Sequence, residues 1–287
     1  QTRLWKMGYH TDVLQQKGWG DSAFFVKGRK VHMGIELECM AHGDKNSTRA
    51  LNKFGRSDEN NYCIPTADGS LDDYKGVEYV FKPSDFKGYE RYLTHFIDKC
   101  GDYLEEDATD ADDGNTYGLH IHISNHFMRQ LDKAKIALFV NNHSDFFADI
   151  GGRRCSGYCR KQEYGKINRR KVTTENYSLH RERYNMVNLC NEKTVEFRFP
   201  KSIVSKEHII ANMQLVYAVS MFCTFNTTIN RVGSDRLLLR EFVAYIVKNK
   251  KLFNYLVANE AFLAYANQHG FTQALAKKAV KKATATA

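Results

Sequence analysis

At 287 residues, 43% of them hydrophobic, the chain can bury a sizeable core, and its composition is that of an ordinary globular protein rather than a disordered or fibrous one. Lys plus Arg number 42 against 33 Asp plus Glu, a net charge of +9 that favours anionic partners such as nucleotides, nucleic acid or phosphorylated substrates without choosing among them. Seven scattered cysteines form no disulfide frame, so reduced thiols and an intracellular, cytoplasmic setting are expected.

The opening stretch, "QTRLWKMGYHTDVLQ", lacks both the apolar core of a signal peptide and an initiator methionine, and reads as a trimmed chain. "VHMGIELECM" (31–40) then places Glu36 and Glu38 two apart among Val31, Met33, Ile35 and Leu37, which predicts a strand with one acidic and one greasy face. Residues 41–62 are polar and read as irregular. In "TADGSLDDYKGVEYVFKP" (66–83) a turn at Asp68-Gly69-Ser70 leads into a strand carrying Glu78 and closed by Pro83. Ser84 reads as the N-cap of a helix whose buried face holds Tyr89, Tyr92, Leu93, Phe96, Ile97 and Cys100.

After an acidic run at 105–113, "YGLHIHIS" (117–124) predicts a strand with His120 and His122 on one face. A helix is predicted from about Phe127 to Ile150. Residues 151–185 carry ten Lys and Arg against three Glu, the strongest local charge bias in the chain. There Cys155 and Cys159 could bind zinc with His180, although the second cysteine pair of a zinc site is missing. "KTVEFRFP" (193–200) repeats the strand pattern with Glu196 and Arg198.

Beyond Lys201 the pattern is helical: one helix near 205–225, a second opened by Ser234 as N-cap, a third ending at Gly270, and a frayed tail. Residues 209–230 are uncharged and long enough to span a bilayer, but Asn212, Gln214, Ser220, Asn226, Thr227 and Thr228 favour a buried helix and no membrane partner. Strands separated by helices, with no Gly-rich phosphate loop, predict an α+β fold: an antiparallel sheet with helices packed on one side. The expected division is a catalytic-type domain over 1–232 and a helical extension over 233–287.

Three strands thus each offer a polar pair. A single such pair most often marks a solvent-facing sheet, but three pairs drawn from metal- and phosphate-binding residue types suggest a phosphoryl-transfer site without a P-loop. The order "GIELE", "DGSL" with "GVEYV", "GLHIHIS" and "RYNMVNLCNEKTVEFRFP" resembles the amidoligase family, carboxylate-amine ligases with the glutamine synthetase fold, over roughly residues 31–202.

The resemblance implies an active site on one face of an antiparallel sheet, with ATP and paired Mg²⁺ (or Mn²⁺) ions. Glu36, Glu38, Glu78, His120 and Glu196 match the family's metal ligands. His122 would sit beside nucleotide or substrate, Arg198 would contact phosphate, and Arg183 would touch ATP or acyl phosphate, with Arg181 competing for that role. Small-molecule or peptide carboxylates and amines are the expected substrates, often in phage and mobile-element settings, with a monomer or dimer as the assembly. The amino-terminal domain and the ammonia-site segments of glutamine synthetase have no counterpart here, so glutamine synthesis is not implied. A phosphotransferase acting on a guanidinium, or a non-enzymatic nucleic-acid-binding protein with strongly salt-dependent affinity, are the other classes.

Overall fold

The computed structural model describes residues 3–8, 31–57, 60–107, 117–154, 157, 159–161, 183–234 and 237–276. Alternating apolar and polar residues form six strands: β1 (Met33–Met40), β2 (Cys63–Thr66), β3 (Gly76–Phe81), β4 (Leu119–Ser124), β5 (Val187–Asn188) and β6 (Thr194–Phe197). They join in the order β2-β3-β1-β4-β6-β5, and every pairing is antiparallel. The expected α+β architecture with an antiparallel sheet is therefore present.

Register sorts the side chains by face. Ile35 pairs with Ile121, which pairs with Phe197, which pairs with Val187, so one apolar row crosses four strands. Leu37 pairs with both Tyr79 and Leu119 in the next row. All of these are buried and share one core with the helices.

The helices are α1 (Lys45–Gly55), α2 (Phe86–Cys100), α3 (Gln130–Asn142), α4 (Ser144–Gly151), α5 (Lys206–Phe225), α6 (Ile229–Ser234), α7 (Leu238–Lys248), α8 (Glu260–Gln268) and α9 (Thr272–Ala276). From α2, Phe96 meets Tyr79 edge-on at 4.8 Å and Phe81 at 5.2 Å. Phe242 of α7 packs against Phe139, Phe147 and Phe222, tying α3, α4, α5 and α7 together. By length and composition α5 could cross a membrane, but 78% of its apolar window is buried inside the protein. Its polar residues are used internally: the Gln214 side-chain oxygen accepts from the backbone N–H groups of Tyr255 and Leu256.

Four local expectations need correction. The "irregular" 41–62 stretch contains α1, which buries Ser47, Thr48, Leu51 and Phe54 behind the N-cap Asp44. The helix of 127–150 is two helices divided at His143, whose φ of −118° leaves the helical region. Ser234 ends α6 rather than opening a helix. The cap of α2 is Asp85, which accepts from the Gly88 N–H, whereas the backbone of Ser84 exchanges two hydrogen bonds with Met33. Asp85→Ala should lower stability by about 1 kcal/mol in urea denaturation, and Ser84→Ala by clearly less; the reverse ranking would return the cap to Ser84.

At Gly270 the expected stop stands: its φ is +82°, and the Phe271 N–H reaches back to the Ala266 carbonyl. Along the outer edge of the sheet, residues 3–8 lie beside β2, with Met7 N–H donating to Pro65 O and Ala67 N–H to Gly8 O. The acidic run past Asp107, most of the basic 151–185 stretch with Arg181, Cys155 and His180, and the tail past Ala276 fall outside the described residues. Cys39, Cys63, Cys100, Cys159, Cys190 and Cys223 are all free thiols.

Candidate active site

Opposite the core, the other face of the same strands is polar. β1 contributes Glu36 and Glu38, β3 Glu78, β4 His120 and His122, β5 Asn188 and β6 Glu196. The register sets them side by side: Glu38 faces Glu78, Glu36 faces His120, and His122 faces Glu196, which faces Asn188. Arg198 lies one residue past β6, and its N–H still bonds to the Met186 carbonyl. Seven of the eight residues expected from sequence therefore converge on one surface.

Glu36 is the hub. Its Oε2 lies 3.2 Å from His120 Nδ1 and its Oε1 3.0 Å from His122 Nε2. Two groups of donor atoms meet around it, Glu36 with His122 and Glu196, and Glu36 with Glu78 and His120, each with all its ligand atoms within 4.8 Å. At that separation two carboxylate charges repel by about 3 kcal/mol for an effective dielectric constant of about 20. Such crowding calls for cations. Mostly carboxylate oxygens with one imidazole per group fits Mg²⁺ or Mn²⁺, whose remaining positions go to water and phosphate.

Glu38 belongs to neither group. Its Oε2 accepts the Gly118 N–H, and its Oε1 lies 3.5 Å from His120 Nε2. Glu78 is fixed by the Thr66 hydroxyl, 2.9 Å from its Oε2. Glu196 is almost fully buried, and its oxygens accept from Arg198 (2.5 Å), Asn188 (2.6 Å) and Asn191 (3.1 Å). These supports leave the carboxylates little rotational freedom.

Burial alone pushes the Glu196 carboxyl up, but the imidazoles of His122 and His120 and the Arg198 guanidinium outweigh it and hold the group below its ordinary value. Burial likewise works against the charge on Arg198, and Glu196, followed by Glu38 and Glu36, more than restores it. Because the Glu196 pKa is lower folded than unfolded, its contribution to stability is present above pH 4.5, the ordinary value, and is lost as pH falls through the folded value. Metal-free Glu196→Gln should thus lose less stability than wild type between neutral pH and that acid range, as read by urea unfolding at a series of pH values.

Arg183 is exposed. Its guanidinium lies 5.2 Å from the Tyr184 ring centre, and Arg198 approaches the same ring at 5.8 Å, so one aromatic side chain links the two arginines. Sequence reasoning missed the supporting residues Thr66, Asn188 and Asn191, whose only signal was their polarity within or beside short strands. It also missed Arg153, which reads as one more charge in a basic segment yet is only 6% exposed.

No protein-family model matches the chain, and no curated protein matches it. Solved structures that do match include the complex between the prokaryotic ubiquitin-like protein Pup and its ligase PafA, at a TM-score of 0.42 and 13% identity over 88% of this chain and 69% of that one. At that distance the site has to be judged from this chain's own residues.

Proposed function

We propose that this chain is an ATP-dependent carboxylate-amine ligase that forms an amide through an acyl phosphate. The observation that carries the reading is the pair of carboxylate–imidazole groups sharing Glu36 on one sheet face, with Arg198 beside Glu196 and Arg183 joined to Arg198 through the Tyr184 ring. Joining an acid to ATP crowds anions, and bound divalent cations would offset that charge while holding the phosphates. Glu36, Glu78, His120, His122 and Glu196 would hold those cations, with Glu38 placed to orient His120.

A substrate carboxylate oxygen attacks the γ-phosphorus, the bond to the β–γ bridging oxygen breaks, and ADP leaves. Arg198 and Arg183 are the donors available to the phosphoryl oxygens as charge spreads over them. An amine then adds to the acyl carbon, inorganic phosphate departs with its electron pair, and the proton from nitrogen passes to a nearby carboxylate of the same face.

The experiment is ATP turnover with products resolved, in Mg²⁺ or Mn²⁺, with pooled acids and amines supplied. ADP and phosphate that form only when both an acid and an amine are present, and that vanish with EDTA, are the expected result. ADP formed with a guanidinium compound alone would reassign the site to a phosphotransferase. No nucleotide binding and no turnover would end the reading.

A further inference from the structure

Arg153 is an unusual charge for its position. The residue follows Gly152, the left-handed cap of α4 (φ +72°), and its side chain turns inward until it is 6% exposed. No carboxylate pairs with it among the described residues. Its Nη1 donates to the Arg198 main-chain carbonyl at 3.2 Å, a neutral acceptor. A buried guanidinium whose side-chain partner among the described residues is a carbonyl is costly to keep charged unless an anion joins it.

Its surroundings point into the site. Gly118 immediately precedes β4 and has the same strand parity as His120 and His122, so a side chain there would stand on the polar face. An ideal Cβ at this position would lie 2.6 Å from Arg153 Nη1 and 2.8 Å from His120 Nε2. The glycine therefore leaves a space over the strand that a guanidinium edge and an imidazole nitrogen occupy from two sides. The Gly118 N–H is itself spent on Glu38, which sets this space beside the carboxylate array.

We propose that Arg153, brought over Gly118 to the side of His120, forms an oxyanion-binding subsite for a carboxylate or phosphoryl group of a substrate. This deepens the ligase reading and rests on it for the identity of the substrates. The subsite itself rests on the burial of Arg153, on its approach to Gly118 and His120, and on the lack of a paired carboxylate among the described residues. A purely structural alternative exists, since a cation near a helix C-terminus is favoured in any case and the bond to Arg198 braces the chain after β6.

The test is binding of inorganic phosphate in EDTA, by calorimetry, so that cations play no part. Arg153→Met is expected to weaken binding roughly tenfold or more, with Arg153→Lys intermediate because it keeps the charge and loses the planar fork. Gly118→Ala should weaken it too, although the arginine remains. If Arg153→Met fails to fold, the other two variants carry the comparison. A folded Arg153→Met that loses thermal stability but keeps wild-type phosphate affinity shows a structural brace and overturns the proposal, as does wild-type protein with no saturable phosphate binding.

The nucleotide analogue AMP-PNP with Mg²⁺ then locates the source of the oxyanion. Equal weakening of analogue and phosphate assigns the subsite to the terminal phosphate; weakening of phosphate alone assigns it to the acid substrate. Wild type that binds phosphate through Arg153 but binds no nucleotide would end the ligase reading and leave the subsite standing. Wild type that turns over ATP while Arg153→Met binds phosphate normally would do the reverse.

Discussion

Glu36→Gln is expected to cut metal-dependent ATP turnover about a thousandfold, the scale seen when one fixed group that stabilises transition-state charge is removed. The substitution keeps side-chain volume and removes one negative charge from the position common to both donor groups. It also replaces one carboxylate oxygen, the partner of His120 Nδ1 at 3.2 Å or of His122 Nε2 at 3.0 Å, with an amide nitrogen. Because Glu36 sits on a polar face among other carboxylates, easing their repulsion should leave the unfolding temperature equal to or above that of wild type in EDTA. ADP release in the presence of substrate pools, followed by chromatography, checks the first point, and thermal unfolding the second. Turnover within tenfold of wild type would remove this face from the chemistry. Unchanged binding to nucleic acid alongside lost turnover would show that the net positive charge serves a separate surface.

Arg198→Met should remove about 3 kcal/mol of stability as well as turnover, because taking one partner from a buried ion pair strands the other charge. Glu196 would keep its hydrogen bonds from Asn188 and Asn191, which places the loss at the lower end for such pairs. The discriminating measurement is the urea midpoint of the double variant Arg198→Met with Glu196→Gln. Recovery of much of the lost stability shows that the stranded charge was responsible. A double variant no more stable than Arg198→Met alone would instead indicate lost packing of the arginine stem.

Much of this site was legible in the sequence because a strand repeats every two residues. Glu36 with Glu38 and His120 with His122 stand in otherwise apolar runs, so their common face followed from spacing alone. What spacing could not supply was the register between strands, and it is register that makes Glu36 rather than Glu38 the shared residue. β2 was hidden by Pro65, which reads as a break but is tolerated on an edge strand. α1 was hidden because two of its four buried residues are Ser47 and Thr48, leaving only Leu51 and Phe54 to mark its inner face. His143 has no breaker chemistry of its own, so the division of the helix there had no sequence signal. Arg153 was obscured by its neighbours, since a charge among nine other cations reads as solvated loop whatever its burial.

The backbone bonds between residues 3–8 and β2 also bear on how the molecule behaves in a crowd of its own copies. A sheet rim with unpaired amides is a template for a neighbour's strand, and this sheet closes one rim with its own chain while the other ends in a strand of only two residues, β5. Pro65 contributes its carbonyl to the closure and has no amide to offer in exchange. The open polar face can therefore admit a ligand without the sheet extending from molecule to molecule. Removal of residues 1–8 would uncover that rim, and the first sign of it would be self-association rather than loss of the polar face.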